Sequence, residues 1–267
     1  MRKLGSRIYM ALILVFLYAP IFVMIVFSFN DSKSRAVWKG FSFKWYEALF
    51  NDQTIIDALG MSLLVAVLAA LIATVVGTMA AVGLRYTNKR LRAAMMSLNS
   101  IPMVNPEIVT GVSMMLMFVV IYKTTGLLKP GFMTLLLAHI TFCVPYVILS
   151  VAPKLNQMNP HLYEAAQDLG CPPAKAFFKV IVPEIMPGVI TGALMAFTLS
   201  LDDFIISYFT SGSTAQTLPV VIYSMTKKRI SPKINALSSI LFITVLLLLV
   251  IINVRQMREE SREKRRV

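Results

Sequence analysis

The chain has 267 residues, 57% of them hydrophobic and only 15% charged, with a mean hydropathy of +0.72. Soluble domains sit nearer half apolar and a quarter charged; here the excess is grouped into long uncharged runs, which excludes an ordinary soluble fold and predicts one all-α, polytopic membrane domain over residues 1–267. The formal net charge of +13 would suit nucleic-acid binding, but the Lys and Arg sit in short segments between apolar runs and in a C-terminal tail, which is the pattern that orients membrane proteins.

A bilayer span needs about 20 mostly apolar residues. Six runs qualify: Ile8–Phe29, Ala58–Leu84, Ala93–Tyr122, Pro130–Ala152, Ile185–Phe209 and Ile234–Val254. The first is about twice a signal-peptide core and has no A-x-A-like end before Asn30, so it reads as a retained helix. Six spans put both termini on one side. A cytoplasmic N-terminus leaves sixteen of the twenty-six basic residues inside, including Arg85, Lys89, Arg90, Arg92 and the tail cations from Arg255 onward. Lys227, Lys228, Arg229 and Lys233 fall outside in that arrangement, and the pattern offers no account of them. The tail RQMREESREKRRV reads either as a segment held on anionic lipid or as a solvated helix end.

After the first run, GFSFKWYEALF at residues 40–50 predicts a short external helix at the membrane interface, with Trp45 and Tyr46 at headgroup level. In the third run, IPMVNPEIV sets Glu107 beside Pro102 and Pro106, which are expected to disturb the helix. The fourth run carries His139, expected as a hydrogen-bonded interior residue, and Cys143. Cys143 and Cys171 fall at different depths, so no disulfide is expected, and neither has the partners of a zinc site.

Next comes NQMNPHLYEAAQDLGCPPAKAFFKVIVP. Asn159 before Pro160 suits a helix start. Leu162, Ala165, Ala166 and Leu169 follow at i, i+3, i+4 and i+7, one apolar stripe. Gly170 suits a left-handed stop, Pro172 and Pro173 break the chain, and a second short helix over Ala174–Lys179 is expected to end near Pro183. The result is two short helices with a hinge. The small face at Ala165 and Ala166, ringed by Glu164 and Asp168, either admits another protein's surface or belongs to a plain connector.

The fifth run ends in LSLDDF. An acidic residue at mid-membrane costs about 2.5–3.5 kcal/mol on insertion scales, which marks Glu107, Asp202 and Asp203 as candidate functional residues. Neighbours on a helix point about 100° apart, so one aspartate is expected to line a path while the other faces a partner subunit or caps a local break. For Glu107 the alternative is an ion pair with a neighbouring subunit. A solute with several ammonium groups calls for spaced carboxylates with aromatic faces between them. His139 lacks diagnostic metal-ligand spacing to these acids, and no metal is expected.

The spacing E-A-A-x-x-x-G followed after nine residues by I-x-L-P resembles the signature loop of ABC-importer permease subunits. Glu164, Ala165, Ala166, Gly170 and Pro183 match it, with Val180 and Val182 in its aliphatic positions. SFN at 28–30, GFSFKWY at 40–46, HITFCVPYV at 139–147, EAAQDLG, AFTLSLDDF at 196–204 and IYSM onward to Leu237 are similar to PotC-type permeases of spermidine/putrescine importers, over nearly the whole chain.

That resemblance implies a type I ABC-importer permease fold with six transmembrane helices in a bacterial cytoplasmic (inner) membrane, both termini cytoplasmic. It implies a coupling loop at about 153–184 that inserts into an ATPase groove. Its partners would be a second permease subunit, two copies of a cytoplasmic ATPase and an external polyamine-binding protein. It associates the positions of Trp45, Glu107, Ser200, Asp202 and Asp203 with polyamine passage. The family usually has Asp where Glu107 stands, which keeps the charge and changes the reach. No G-x-x-x-x-G-K-[ST] motif occurs, so the chain is expected to be no enzyme and to carry no cofactor, with ATP bound by the partner. The alternatives are a permease for another small solute and an ion-coupled secondary transporter using the same carboxylates as proton or sodium sites.

Overall fold

Apolar runs in lipid become helices because a helix pairs its backbone N–H and C=O groups without water. The computed structural model describes residues 2–32, 37–159, 161–228 and 232–263, and among them everything regular is helical apart from one antiparallel bridge between Asn30 and Phe41. The helices are α1 (Arg2–Ser28), α2 (Lys44–Phe50), α3 (Gln53–Arg85), α4 (Lys89–Val104), α5 (Glu107–Thr125), α6 (Phe132–Gln157), α7 (Leu162–Asp168), α8 (Pro173–Ala176), α9 (Val182–Asp202), α10 (Ile205–Thr210), α11 (Leu218–Lys228) and α12 (Lys233–Glu263). A π turn, Phe177–Ile181, joins α8 to α9. Five helical stretches are long and apolar enough to cross a membrane: Tyr9–Ser28, Gln53–Arg85, Glu107–Thr125, Phe132–Gln157 and Pro173–Asp202; Lys233–Leu247 is a shorter apolar sixth.

Two of the expected spans are redrawn. The third run is not one helix from Ala93 to Tyr122. Pro102 sits inside α4, but Pro106 ends the pairing: it has no N–H and drives Asn105 into extended backbone, φ −67° and ψ 141°. The span is therefore α5, and Glu107 stands in its first turn. The fifth run starts earlier and stops sooner than Ile185–Phe209. No helix ends near Pro183, because Val182 N–H already reaches back five residues to the Phe177 carbonyl; this widened turn shifts the carbonyls that a proline ring one residue on would meet. At the other end Asp203 is extended, φ −66° and ψ 124°, and breaks the run into α9 and α10.

The chain divides into two compact units, Met1–Ile56 with Ile222–Val267, and Asp57–Val221. In the first, α12 packs on α1 and α2, and Asn30, 1% exposed, organises the connection after α1. Its Nδ2 donates to the Val37 carbonyl at 2.8 Å, its Oδ1 accepts from Ser32 and Lys39 N–H, and its carbonyl accepts the Trp45 indole at 2.7 Å. Of the basic cluster that the orientation left unexplained, Lys233 pairs with Asp52 at 3.2 Å and Lys227 lies over the Tyr223 ring at 4.7 Å. Arg229 and the last four residues of the tail lie outside the described residues.

The second unit is built on α6. Leu135, Ala138, His139, Phe142, Cys143, Val147, Val151 and Leu155 are all buried, at the three- and four-residue spacing of one helix face. α9 lies along that face, and two glycines let it approach. A Cβ on Gly188 would stand 2.8 Å from the Ser150 carbonyl oxygen, and one on Gly192 3.2 Å from Val147 Cα. The C-terminal end of α6 is held by cations, Arg85 on the Leu155 carbonyl and Arg92 on the Asn156 side chain, as a helix dipole favours. α10 packs on α5 and α6.

Candidate functional site

The break after α9 opens a cavity of about 370 Å³. Glu107 enters from the first turn of α5, Thr198, Leu199 and Asp202 from the last turns of α9, Phe142 from α6, and Phe204 from the break itself. Glu107 and Asp202 are exposed, and neither has a hydrogen bond or ion pair among the described residues. The site thus offers two open carboxylates with two aromatic rings on its wall. A cation carrying more than one ammonium group suits that lining, because carboxylates and ring faces both attract it.

Asp203 lines the same cavity but is already engaged. Its side chain is 4% exposed, and its two oxygens accept the N–H groups of Ile206 (3.3 Å) and Ser207 (2.7 Å), so it caps α10. The alternative in which one aspartate caps a local break describes Asp203, and Asp202 is the one left open. Ser200 faces away from the cavity, 4% exposed, with its hydroxyl 2.6 Å from His139 Nδ1. His139 is the hydrogen-bonded interior histidine that was expected; its Nε2 is 3.0 Å from Ser207 Oγ and 3.5 Å from Asp203 Oδ2.

Trp45 belongs to the other unit and presents no open ring there. It is 6% exposed, with its N–H spent on Asn30. Trp38, Phe41, Phe43 and Phe50 of that segment are the exposed rings, and Tyr46 bonds Ser28 Oγ at 2.7 Å. Sequence reasoning missed Phe142 and Phe204 as cavity aromatics. The signal was available: Phe142 is one turn from His139 on the buried face of α6, and Phe204 directly follows the aspartate pair. Among the described residues no three His, Cys, Asp or Glu side chains gather as a metal site.

The other candidate surface is α7. Asn159 Oδ1 accepts the His161 N–H at 3.0 Å in a turn just ahead of the helix, which begins at Leu162 with His161 in the cap position and no side-chain cap bond there, while Pro160 lies outside the described residues. At the far end Gly170 takes φ +79°, Gly170 N–H bonds the Gln167 carbonyl, and Cys171 N–H bonds that of Ala166, a complete left-handed helix stop. Tyr163 and Phe177 turn inward against the core. The expected stripe turns outward instead: Leu162 is 37% exposed, Leu169 89%, Ala165 is open, and Phe178 of the π turn is 68% exposed. Glu164 beside it pairs with His161, at 3.2 Å on the surface.

The family model of the binding-protein-dependent transport system inner membrane component matches residues 73–257. The chain is similar to the putrescine transport system permease protein PotI of Escherichia coli (strain K12), 41% identical over 228 residues, covering 85% of this chain and 81% of that protein. It is also similar to the spermidine/putrescine transport system permease protein PotC of Haemophilus influenzae, 39% identical over 243 residues, covering 91% and 93%. Among solved structures, a bacterial ABC transporter involved in the import of the acidic polysaccharide alginate shares the fold, with a TM-score of 0.70, 16% identity, and 96% and 94% of the two chains covered.

Proposed function

The chain belongs to the binding-protein-dependent transport system inner membrane component family, and from that premise we propose that it is the polyamine-passing permease subunit of an ATP-driven importer for spermidine or putrescine. As a permease subunit it is not an enzyme. The observation that carries the substrate reading is the pair of open carboxylates, Glu107 and Asp202, facing a cavity walled by Phe142 and Phe204. Each primary ammonium of a diamine can take one carboxylate while its methylene chain lies along the rings. A sugar would leave both charges unneutralised, and an anion would be repelled by them. Of the positions that the resemblance ties to passage, Glu107 and Asp202 would touch the solute, Asp203 and Ser200 would support them from behind, and Trp45 would brace the segment after α1.

The energy enters at α7. Its open face of Leu162, Ala165 and Leu169, with Glu164 and Asp168 at the edge, supports docking to a cytoplasmic ATPase, whose two copies would bind the ATP. A second permease subunit would complete the path, an external polyamine-binding protein would deliver the solute, and both termini would lie in the cytoplasm. Rocking of the two permease subunits would expose the cavity to each side in turn.

The test is the full complex in liposomes, with ATP inside and the binding protein outside. Spermidine or putrescine is expected to stimulate ATP hydrolysis and to accumulate, while this chain without the ATPase moves nothing. Equal stimulation by sugars, sulfate or ferric iron would overturn the substrate reading. Uptake by the isolated chain would overturn the ATP-driven one.

A further inference from the structure

His139 ties three helices together at the point where the cavity opens. It projects from α6, is 1% exposed, and uses both ring nitrogens: Nδ1 on Ser200 of α9 at 2.6 Å, Nε2 on Ser207 of α10 at 3.0 Å. Ser207 is 0% exposed, its backbone N–H bonds Asp203 Oδ2 at 2.7 Å, and that same oxygen stands 3.5 Å from His139 Nε2. As a carboxylate Asp203 only accepts, so the tautomer that serves it carries the proton on His139 Nε2, facing Ser207 Oγ and Asp203 Oδ2; Nδ1 then accepts the Ser200 hydroxyl. The side chains of this buried cluster meet across three helices and across the break from Asp203 to Ser207, and such networks fix geometry more firmly than their separate bonds do.

We propose that His139 is a positioning residue for the transported cation. Through its Nε2 arm to Ser207 and Asp203 it holds the cap of α10, so that the α9–α10 break keeps Asp202 on the cavity wall it shares with Glu107; the Nδ1 arm to Ser200 steadies the ring and contributes less. The proposal deepens the polyamine reading and rests on it. His139 never meets the solute. Its effect is on where a neighbouring carboxylate stands, as an outer hydrogen-bond partner orients a metal ligand.

The two arms are separable. A glutamine amide reaches about as far as Nε2 and can keep the Ser207 arm, whereas an asparagine amide reaches only as far as Nδ1 and keeps the Ser200 arm. The readout is polyamine moved per ATP hydrolysed by the reconstituted importer supplied with loaded binding protein. His139→Gln is expected to stay within about twofold of wild type. His139→Asn and Ser207→Ala are expected to lower the ratio at least fivefold while ATP turnover stays within about twofold, since the α7 surface is untouched. A merely structural role predicts something else, ATP turnover and uptake falling together. That result, equal behaviour of the Asn and Gln variants, or a wild-type ratio in Ser207→Ala would overturn the proposal. Ser207→Ala removes one oxygen only and decides the matter if the His139 variants do not assemble. A wild-type complex that moves no polyamine sinks the substrate reading and this inference with it; a working wild type with an unaffected Ser207→Ala sinks this inference alone.

Discussion

Two interruptions of helix, one between α7 and α8 and one between α9 and α10, solve the same backbone problem in opposite ways. At Gly170 the chain ends α7 with its own amides and a left-handed glycine, and leaves leucines and alanines bare outside. At Asp203 a side chain caps the next helix, and a histidine and two serines from three helices close around it, with the acids Glu107 and Asp202 left open beside it. Helix ends must satisfy about four orphan groups each, and what is left uncovered afterwards differs in kind. The first break leaves apolar surface uncovered and the second leaves charge, which under the proposed function suits the one to a macromolecule and the other to a small cation.

The hardest test of that contrast is Leu169→Asp. Covering a leucine is worth about 1.5–3 kcal/mol, so removing it from a docking face should cut ATPase retention and uptake at least about tenfold. At 89% exposure the substitution should leave the chain's own thermal midpoint unchanged. A midpoint that drops with uptake would mean the chain itself covers that face. Next in size is the aspartate pair. Asp202→Ala should lower polyamine uptake about tenfold with no loss of stability. Asp203→Ala should lower the melting midpoint as well, by the equivalent of about 1–2 kcal/mol for a lost cap. Equal melts in detergent would erase the distinction between them.

Gly188→Ala probes the contact that supports the inner break. Its methyl would press on the Ser150 carbonyl and force α9 off α6, costing about 1–3 kcal/mol, visible as a lowered midpoint and a smaller loss of uptake. Gly170→Ala should be the mildest. Nothing crowds a Cβ there, and only the left-handed backbone at φ +79° resists it, by about 1 kcal/mol. A tightened α7 stop of this kind should weaken coupling by less than about fivefold, measured as ATP hydrolysed per polyamine imported.

These two regions also mark where the sequence could be read and where it could not. Asn159, Gly170 and the stripe between them act within one helix turn or two of themselves, so their residue types announced the helix, its limits and its open face. The role of Asp203 depends on His139, and the partners of that histidine lie 61 and 68 residues away along the chain. Adjacent acids in an apolar run therefore looked equivalent until the fold separated them. Trp45 is opaque for a similar reason: an indole at a predicted interface does not announce what its N–H bonds, and a carbonyl fifteen residues upstream holds it. Pro102 and Pro106 look alike in sequence, and only Pro106 ends a helix. The continuity from α8 through Pro183 was hidden because no residue type spells a π turn.

The π turn also sets how tolerant this stretch is to a change of length. Five residues, Phe177–Ile181, close a ring that an α-helix closes with one fewer. Losing one residue there would let an ordinary helix run from α8 into α9 with its faces nearly in register. The same loss inside the regular turns of α9 would swing everything that follows, Asp202 included, by about 100° about the helix axis. The widened turn is thus the one place on this span where the chain can shorten without redirecting its acids.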